Sequence, residues 1–434
     1  MRALVLAAGR GERLQPLTDL RPKSMLPLVG RPILHYIVDD IRLAGVTDMV
    51  FVVGYRKEMI QNYFKDGNAF GVAITYVEQR KPLGEADAIL KAESEFAGED
   101  EFILAHGDYV SEAGLVKRVV DAFCESGSDI AIALSRVENP SEYGVAALGE
   151  NSRIERVVEK PSASAKLGNL AVSSVYAFTP AIFHVLRRIG HLEQGISHMI
   201  ERGAKAAGIV WDREWMDIGR PWEVLRASRF LLSKVFSKTP RYISPSARLP
   251  PEARLEEPYH ISDNVEIDHG AVVRGGCYLD SGCRIGTNAL IRDYSYVGKN
   301  VIAGYSTEVK NSVILHDTSL GHIAYVGDSV IGSHCEIGAG VITSNFRFDE
   351  KPIEVNVGRK RYNSGLQKLG AMIGDHVKIG VNSSIYPGCK IGSNTWIGPS
   401  IVVTCDIPQN RFLSVDQKVK IRRQRSKVRP DLEL

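Results

Sequence analysis

The chain has 434 residues, more than one typical domain core holds, so we expect two or three domains. Its 44% hydrophobic and 24% charged residues are the proportions of a soluble globular protein. A net charge of +3 is too small to argue for a nucleic-acid partner. No apolar run approaches the roughly 18 residues that cross a bilayer, so we expect no membrane partner. Six cysteines form no CxxC pair, which favours a reduced, cytoplasmic protein over a zinc site or disulfide framework.

Apolar strands alternate with helical segments from residue 1 to about 235. Ile33, Ile37 and Ile41 lie on one face of a helix that follows Pro32. Such alternation predicts an α/β, Rossmann-like domain with a mostly parallel sheet covered on both faces. Its ligands should bind beyond the carboxyl ends of the strands. The predicted strands are Leu4–Ala8, Met49–Val53, Val72–Val77, Phe102–Ala105 and Asp129–Leu134.

An aliphatic residue recurs at every sixth position from Ile261 to Val297, and the period returns from Ile373 to Ile397. This period fits neither an amphipathic helix nor an alternating strand, and it predicts a parallel β-helix over residues 258–405. Prolines punctuate residues 236–257, which we interpret as a linker or a capping turn. The strongly basic end of residues 406–434 is interpreted as a solvated tail.

The six-residue period is interrupted in two places. It shortens to five between Val326 and Ile331, and Thr343–Gly370 inserts a polar and basic segment. Insertions in repeat proteins map to loops on one face, which is often the binding face. Chemistry in the β-helix is therefore expected near these interruptions.

A glycine-rich segment follows the first predicted strand. Gly9 and Gly11 allow backbone N–H groups to approach an anion, and Arg13 and Lys23 add positive charge. The spacing matches neither a dinucleotide fingerprint nor a P-loop. The combination predicts a phosphate-binding site of another type.

With these features, residues 1–235 resemble the sugar-1-phosphate nucleotidylyltransferases. In that family a sugar phosphate oxygen attacks the α-phosphorus of a nucleoside triphosphate and pyrophosphate leaves. The nucleophile is already anionic, so charge neutralisation and positioning should dominate. The motifs that carry the resemblance are Leu6–Leu14, Pro22-Lys23, Gln79 with Leu83–Ala86, Gly107-Asp108, Tyr143–Val145, Glu159–Pro161 and Trp215–Gly219.

The resemblance implies a role for each candidate residue of this first site. It places Asp108 and Asp217 on Mg²⁺, with Mn²⁺ as the alternative ion. Many relatives have Thr in place of Glu85 and some have Asn in place of Val172, which leaves the base and the sugar open. The other implied roles are Gly9, Gly11, Arg13 and Lys23 on the triphosphate, Gln79 and Gly84 on the base, and Gly144, Glu159 and Lys160 on the sugar phosphate.

Residues 258–405 resemble the acetyltransferase domain of bifunctional enzymes that make UDP-N-acetylglucosamine. The resemblance implies that His322 is the general base for an amine attacking acetyl-CoA, a task suited to histidine. Glu336 stands where relatives have a sugar-contacting Asn, so the sugar stays open. The remaining implied contacts are Arg292 and Lys310 to phosphate, Tyr325, Asn345 and Lys351 to the amino sugar phosphate, and Ala339 to acetyl-CoA.

Assembly and alternatives follow from the same resemblance. It implies a left-handed coil and a homotrimer joined through the β-helices, with acetyltransferase sites between subunits. One alternative keeps the nucleotidylyltransferase and makes the β-helix structural or regulatory. Another, a scaffold subunit of the translation-initiation type, would not need Arg13, Lys23, Asp108 and Asp217 together. The leading hypothesis is a bifunctional enzyme that uses a nucleoside triphosphate, a sugar 1-phosphate and acetyl-CoA.

Overall fold

The computed structural model describes residues 1–162 and 167–422. Among these residues, no helix is both long enough and apolar enough to span a membrane. The basic tail expected over residues 406–434 lies outside the described part of the chain from residue 423 onward.

The N-terminal part is a nine-stranded sheet with helices on both faces. Side chains of the first strand point alternately to the two faces of the sheet. Ala3 and Val5 belong to the hydrophobic core that contains Ile37, whereas Leu4 belongs to the core that contains Ile196. The nine strands of this sheet are β1 Arg2–Ala7, β4 Asp48–Val53, β5 Ala73–Glu78, β6 Phe102–His106, β8 Ile130–Arg136, β9 Gly144–Leu148, β10 Ile154–Glu159, β11 Leu170–Phe178 and β12 Ala206–Trp211. Four short strands form two separate pairs: β2 Pro27–Leu28 with β3 Arg31–Pro32, and β7 Tyr109–Ser111 with β13 Trp215–Asp217. The helices are α1 Ile33–Leu43, α2 Lys57–Phe64, α3 Glu85–Lys91, α4 Leu115–Ser126, α5 Ala181–Ile189, α6 Leu192–Glu201 and α7 Glu223–Lys238.

All five predicted strands and helix α1 are confirmed, and the sheet is mostly parallel as expected. Seven of its nine strands run in the same direction, whereas β10 and β11 run opposite to them. Strands β5, β4, β1 and β6 are parallel neighbours, as expected. Strand β11 then lies antiparallel between β6 and β8, and it also pairs antiparallel with β9. This long strand is buried along nearly its whole length, so the sheet continues through it and becomes mixed.

The carboxyl ends of β1, β5 and β6 meet at one edge of the sheet. The segments that leave this edge carry the glycine-rich turn after β1, the Gln79–Gly84 turn after β5 and Gly107-Asp108 after β6. A small two-stranded ladder of β7 and β13 brings the Trp215–Gly219 motif to the same edge. The fold therefore collects the separated motifs in one place.

The C-terminal part is a parallel β-helix of three eight-stranded sheets. Residue pairing shows the coil length: Ile261 pairs with Leu279, and Leu279 pairs with Val297 in the next coil. The strands of the first sheet are Arg241–Ile243, Tyr259–Ile261, Cys277–Leu279, Tyr296–Val297, Val313–Ile314, Val330–Ile331, Met372–Ile373 and Lys390–Ile391; those of the second are Arg254–Leu255, Val272–Arg274, Leu290–Arg292, Glu308–Lys310, Tyr325–Gly327, Ile342–Thr343, Ser384–Ile385 and Val402–Val403; those of the third are Glu266–Ile267, Arg284–Ile285, Ile302–Ala303, Ser319–Leu320, Glu336–Ile337, Lys378–Ile379, Trp396–Ile397 and Phe412–Leu413.

The aliphatic anchors of both predicted runs are buried in the β-helix core. Coils in the middle are one residue shorter, because Val297 pairs with Ile314 and Ile314 with Ile331. The shortened step after Val326 is therefore confirmed, and an equivalent step precedes Ile314. The insertion forms an antiparallel hairpin of Glu354–Val357 with Lys360–Asn363.

The β-helix extends beyond the boundaries expected from sequence. Arg241–Ile243 already pairs with Tyr259–Ile261, and Arg254–Leu255 pairs with Val272–Arg274. The expected linker therefore forms the first coil from Arg241 onward, while its first three residues end helix α7. Its prolines stand mainly between strands, where no ladder hydrogen bond is needed. At the other end, Phe412–Leu413 pairs with Trp396–Ile397 and continues the third sheet into the expected tail.

Candidate active sites

A lysine and two carboxylates converge at the edge of the N-terminal sheet where the carboxyl ends of β1, β5 and β6 meet. Asp217 is opposite Tyr109 in the β13–β7 ladder, which brings it close to Asp108. The Lys23 ammonium nitrogen lies 2.7 Å from an Asp108 carboxylate oxygen and 3.2 Å from an Asp217 carboxylate oxygen. Both carboxylates thus face a single point of positive charge, which is the arrangement that two ligands of one cation require.

The electrostatics of this cluster favour its ionised forms. Burial lowers the pKa of Lys23, but Asp108 and Asp217 more than compensate, so the pKa is raised. Burial raises the pKa of Asp108, but the charges of Lys23 and His106 outweigh it and the pKa is lowered. Because the side chains of Asp108 and Asp217 are 34% and 25% exposed, a divalent cation can also approach them. The donor set fits such an ion.

The glycine-rich turn lies directly against this cluster. Gly11 has a φ of +76°, and a Cβ added there would lie 2.8 Å from Cβ of Lys23. Gly9 faces open space. Arg13 is exposed and makes no ion pair with another described residue, although its charge contributes to lowering the pKa of Asp108. The turn leaves a free guanidinium beside Lys23 and room for an anion.

Gln79 and Gly84, predicted to contact the base, lie together. The buried Gln79 side chain donates to the Gly84 carbonyl at 2.9 Å and to Asp87 at 2.8 Å, leaving its carbonyl oxygen without an intramolecular partner among the described residues. The neighbouring Glu85 contacts a different residue: its carboxylate oxygen lies 2.7 Å from Nε2 of His106. Burial lowers the pKa of His106, but Glu85 and other carboxylates raise it overall to about 9.

The residues predicted for the sugar phosphate also lie together. Glu159 is opposite Gly144 in the β10–β9 ladder, and a Cβ added to Gly144 would lie 3.3 Å from its carboxylate. The ammonium of the exposed Lys160 contacts the same carboxylate. Glu193 flanks this group, and burial together with Glu85 raises its pKa to about 7.

The β-helix holds the loop that contains Lys23. Arg21 donates to Asp375 of the β-helix at 2.7 Å, and both side chains are over 90% buried. Asp19 accepts the backbone N–H of Ser393 at 3.0 Å. Asp375 also accepts the Ser333 N–H at 2.8 Å, so its position is fixed by the β-helix itself. A single residue, Pro22, separates Arg21 from Lys23, the lysine that bridges the two carboxylates.

Replacement of Asp375 by Asn should therefore slow nucleotidyl transfer without affecting acetyl transfer. The change leaves the Arg21 guanidinium buried without its carboxylate, so the loop must shift to hydrate it. A displacement of about 1 Å at a positioning group costs on the order of 10- to 100-fold in rate. Steady-state kinetics of both reactions should show this loss in nucleotidyl transfer and no loss in acetyl transfer. Glu266→Gln, which alters a surface β-helix pair with Arg248, is the matched control; equal nucleotidyl transfer rates for the two variants would contradict the prediction.

A second polar cluster lies where the β-helix period shortens. The buried carboxylate of Asp328 accepts from Lys310 at 2.9 Å and from Asn311 at 2.7 Å. Asn345 from the insertion also donates to Asp328, and it donates to the Tyr325 hydroxyl at 3.1 Å. Three predicted residues, Lys310, Tyr325 and Asn345, are thus joined through Asp328.

Arg292 stacks beside this cluster in the neighbouring coil. It is paired with Lys310 in the strand register and is held by Glu308 at 2.7 Å. Glu336, which occupies a position where relatives have Asn, pairs with Lys378 at 2.7 Å. Its negative charge is therefore offset within the chain.

His322 lies at another corner of the same coils. Its Nδ1 accepts the backbone N–H of Tyr305 at 3.0 Å, so a neutral ring carries its hydrogen on Nε2. The next coil places Ala339 and Gly340 above it, where the Gly340 N–H donates to the His322 carbonyl at 2.9 Å. No contact among the described residues joins His322 or the Lys351 side chain to the Asp328 cluster within one chain.

Several residues of these clusters were not identified from the sequence. His106 and Glu193 flank the first site, and Glu308, Asn311 and Asp328 organise the second. His106 had a usable signal, because it ends a strand at the carboxyl edge where ligands bind. Asp328 lies between Val326 and Ile331, where the six-residue period shortens, so its position also gave a usable signal.

Comparison with known proteins gives matches over nearly the whole chain. Residues 2–234 match the nucleotidyl transferase family, and residues 273–358 match the GMPPB C-terminal domain. The bifunctional protein GlmU of Methanocaldococcus jannaschii is 36% identical over 420 residues, covering 95% of this chain and 97% of that protein. GlmU of Methanococcus maripaludis is 35% identical over 433 residues, covering 98% and 100%.

A third relative has a more descriptive name. The bifunctional sugar-1-phosphate nucleotidylyltransferase/acetyltransferase of Sulfurisphaera tokodaii is 33% identical over 425 residues, covering 96% of this chain and 100% of that protein. These matches extend through both the sheet domain and the β-helix. The chain therefore belongs to the nucleotidyl transferase family and, over nearly its whole length, to the family of bifunctional sugar-1-phosphate nucleotidylyltransferase/acetyltransferases.

Proposed function

We propose that this chain is a bifunctional enzyme of nucleotide-sugar synthesis. It transfers a nucleotidyl group from UTP or dTTP to glucose 1-phosphate or N-acetylglucosamine 1-phosphate and releases pyrophosphate. It also acetylates glucosamine 1-phosphate or galactosamine 1-phosphate from acetyl-CoA. The observation that most supports it is the convergence of Lys23, Asp108 and Asp217 beside the free guanidinium of Arg13.

In the proposed nucleotidyl transfer, the chain brings two anions together. Backbone N–H groups of the turn at Gly9 and Gly11, with Arg13 and Lys23, hold the triphosphate and stabilise the departing pyrophosphate. Asp108 and Asp217 hold Mg²⁺, which supplies further charge neutralisation when bound. No protein base is required, because the attacking phosphate oxygen is already ionised.

Base and sugar contacts follow from the remaining groups. The unused carbonyl oxygen of Gln79 can accept an N–H from the base, and the backbone at Gly84 lies beside it. Glu159 accepts sugar hydroxyls, Gly144 leaves room for the ring, and Lys160 turns from Glu159 to the phosphate. Uracil and thymine present the same edge to Gln79, so both nucleotides stay in the proposal.

In the proposed acetyl transfer, His322 takes a proton from the sugar amine as the amine attacks the thioester carbonyl, and CoA leaves as the thiol. Arg292 and Lys310 neutralise the sugar phosphate, while Tyr325 and Asn345 orient the sugar from the Asp328 cluster. Lys351 supplies a further charge, and acetyl-CoA lies along the corner at Ala339. The buried acid Asp328 keeps Lys310 and Asn345 in position.

Association into a homotrimer would complete this second site. Exposed apolar side chains stand beside His322 at one corner of the β-helix: Tyr305 is 48%, Ile323 64% and Val381 46% exposed. Contiguous exposed apolar surface of this kind is typical of protein interfaces. A neighbouring subunit on this corner could bring its own substrate-binding groups to His322, which is separated from the Asp328 cluster within one chain.

A substrate panel tests the proposal. Glucosamine, galactosamine and glucose 1-phosphates are combined with UTP, dTTP or GTP, with and without acetyl-CoA, and release of pyrophosphate and CoA thiol is followed. We expect acetyl-CoA-dependent thiol release with an amino sugar phosphate and pyrophosphate release with UTP or dTTP. Absence of both products with every combination would refute the proposal.

The second candidate function is nucleotidyl transfer with a structural or regulatory β-helix. It is favoured by the hydrogen bond from Tyr305 to His322, because a neutral ring in this state has no free lone pair for a proton. Calorimetric titration with acetyl-CoA separates the two functions. Saturable binding supports the acetyltransferase, whereas a structural β-helix would bind none.

A further inference from the structure

Two histidines and an aspartate cluster at a β-helix corner outside both candidate sites. His316 Nδ1 lies 2.8 Å from an oxygen of Asp317, and His334 Nδ1 lies 3.8 Å from the same oxygen. One ligand atom from each of these three residues lies within 4.8 Å of the other two. No residue of the nucleotidyl or acetyl site takes part in this cluster.

Coil stacking explains why the three side chains meet. Asp317 and His334 occupy the same corner position in successive coils, both with a φ of +56°. The His334 backbone N–H donates to the His316 carbonyl at 3.1 Å, which fixes the two coils in register. The side chains of Asp317 and His334 therefore project next to each other from successive coils, and the side chain of His316 lies beside them.

Neighbours in the ladder hold two of these side chains from above and below. Asn300, one coil earlier, donates to the other oxygen of Asp317 at 2.9 Å. His376, one coil later, stacks on His334 with ring centroids 4.9 Å apart and an interplanar angle of 9°. Contacts that orient metal ligands in this way commonly support metal sites.

We propose that His316, Asp317 and His334 bind a transition-metal dication of the Zn²⁺ class. Imidazole nitrogen with one carboxylate suits such an ion, whereas Mg²⁺ prefers oxygen ligands. Ligands at about 2.0–2.2 Å from a tetrahedral metal lie roughly 3.3–3.6 Å apart. The observed separations of 2.8 and 3.8 Å bracket that value, so small side-chain rotations suffice. Side-chain exposures of 43%, 38% and 46% leave room for water to complete the coordination.

The site would join two coils next to the contact between the two parts of the chain. His334 follows Ser333, whose N–H is bound by Asp375, the partner of Arg21. A bound ion would stabilise this corner of the folded protein by mass action. Metal-dependent thermal stability is therefore expected even without substrate.

The test uses the full chain, free of affinity tags and stripped with a chelator. Co²⁺ is titrated as a spectroscopic probe and Zn²⁺ by calorimetry, both with millimolar Mg²⁺ present to saturate the carboxylates at Asp108. We expect one equivalent of metal per chain, the visible absorption of Co²⁺ with nitrogen ligands, and a higher melting temperature. His334→Asn should bind at least about 10-fold more weakly.

The substitution is chosen to preserve the corner. Asn already occupies the equivalent ladder position at Asn300 and Asn394, both with positive φ, so His334→Asn should fold. Asp317→Asn is a second variant with the same advantage. His269→Asn removes an exposed β-helix histidine that also pairs with a carboxylate but lacks a second histidine, so it should bind metal like the unaltered chain.

Two results would overturn the metal site. One is failure of the unaltered chain to bind Co²⁺ or Zn²⁺ at one equivalent. The other is equal affinity in the unaltered chain, His334→Asn and Asp317→Asn. Either result leaves the proposed transferase activities untouched, because those are measured with Mg²⁺ and involve other residues.

Discussion

Asp108→Asn should reduce nucleotidyl transfer by about 100- to 1,000-fold while acetyl transfer stays within roughly twofold of the unaltered chain. The substitution preserves the shape of the side chain but removes one of the two carboxylates that face Lys23. It takes away half of the charge that would hold the divalent ion, and it leaves the lysine with a single partner. Both consequences act on the phosphoryl transfer alone, because the Asp328 cluster lies in a different part of the fold.

The measurement follows pyrophosphate and CoA thiol in parallel with one preparation of each variant. Asp121→Asn is the matched control, since Asp121 also pairs with a lysine, Lys117, but on the exposed surface of helix α4. Retention of more than a tenth of the nucleotidyl activity by Asp108→Asn would remove this carboxylate from the mechanism. Parallel loss of both activities would point instead to a folding defect.

Local patterns predicted those parts of the structure that depend on local chemistry. The six-residue period identified the buried anchors from Ile261 to Val297, because each coil repeats the same inward position. The strand-end rule brought Asp108 and Gln79 to one edge of the sheet, and their separated motifs do meet there. In these cases the physical constraint, burial or strand direction, acts within a few residues.

Long-range contacts were not predictable in the same way. The bond between Arg21 and Asp375 joins residues 354 positions apart, and no periodicity marks either one. Strand β11 inserts antiparallel into the sheet, and its paired residues in β6 and β8 lie 34 or more positions earlier in the chain, beyond the reach of a local pattern. Early coils of the β-helix were missed because strands of two or three residues between prolines carry too few anchors to show a period.

The contact between the two parts of the chain would give the β-helix a role in the first reaction as well as in the second. Its first sheet contributes apolar residues such as Val313 and Val330 to the core that contains helix α1. Arg21 and Asp19 add directional bonds at the edge of that packing. A rigid coil stack resists deformation, so it offers a firm support for the loop that carries Lys23. Loss of the β-helix should therefore impair nucleotidyl transfer even though its own chemistry lies elsewhere.

His322→Asn should reduce acetyl transfer by about 100- to 10,000-fold, the range expected for loss of a general base. In the described state Nδ1 accepts the Tyr305 N–H, so a ring nitrogen becomes available to a substrate proton only if the ring turns or releases that amide. Asparagine has an oxygen near the Nδ1 position and can keep the bond to Tyr305, yet it cannot act as the base. Nucleotidyl transfer to an already acetylated sugar phosphate should be unchanged.

Comparison of His322→Asn with His322→Ala separates chemistry from structure. If His322 is the base, both variants lose acetyl transfer alike, while acetyl-CoA binding survives in the asparagine variant. If its role is only to hold Tyr305 at the corner, asparagine should restore what alanine loses, and His322→Asn should turn over nearly as fast as the unaltered chain. The second pattern would transfer the search for a base to other residues near the exposed side chains of Tyr305 and Ile323, where the proposed subunit interface lies.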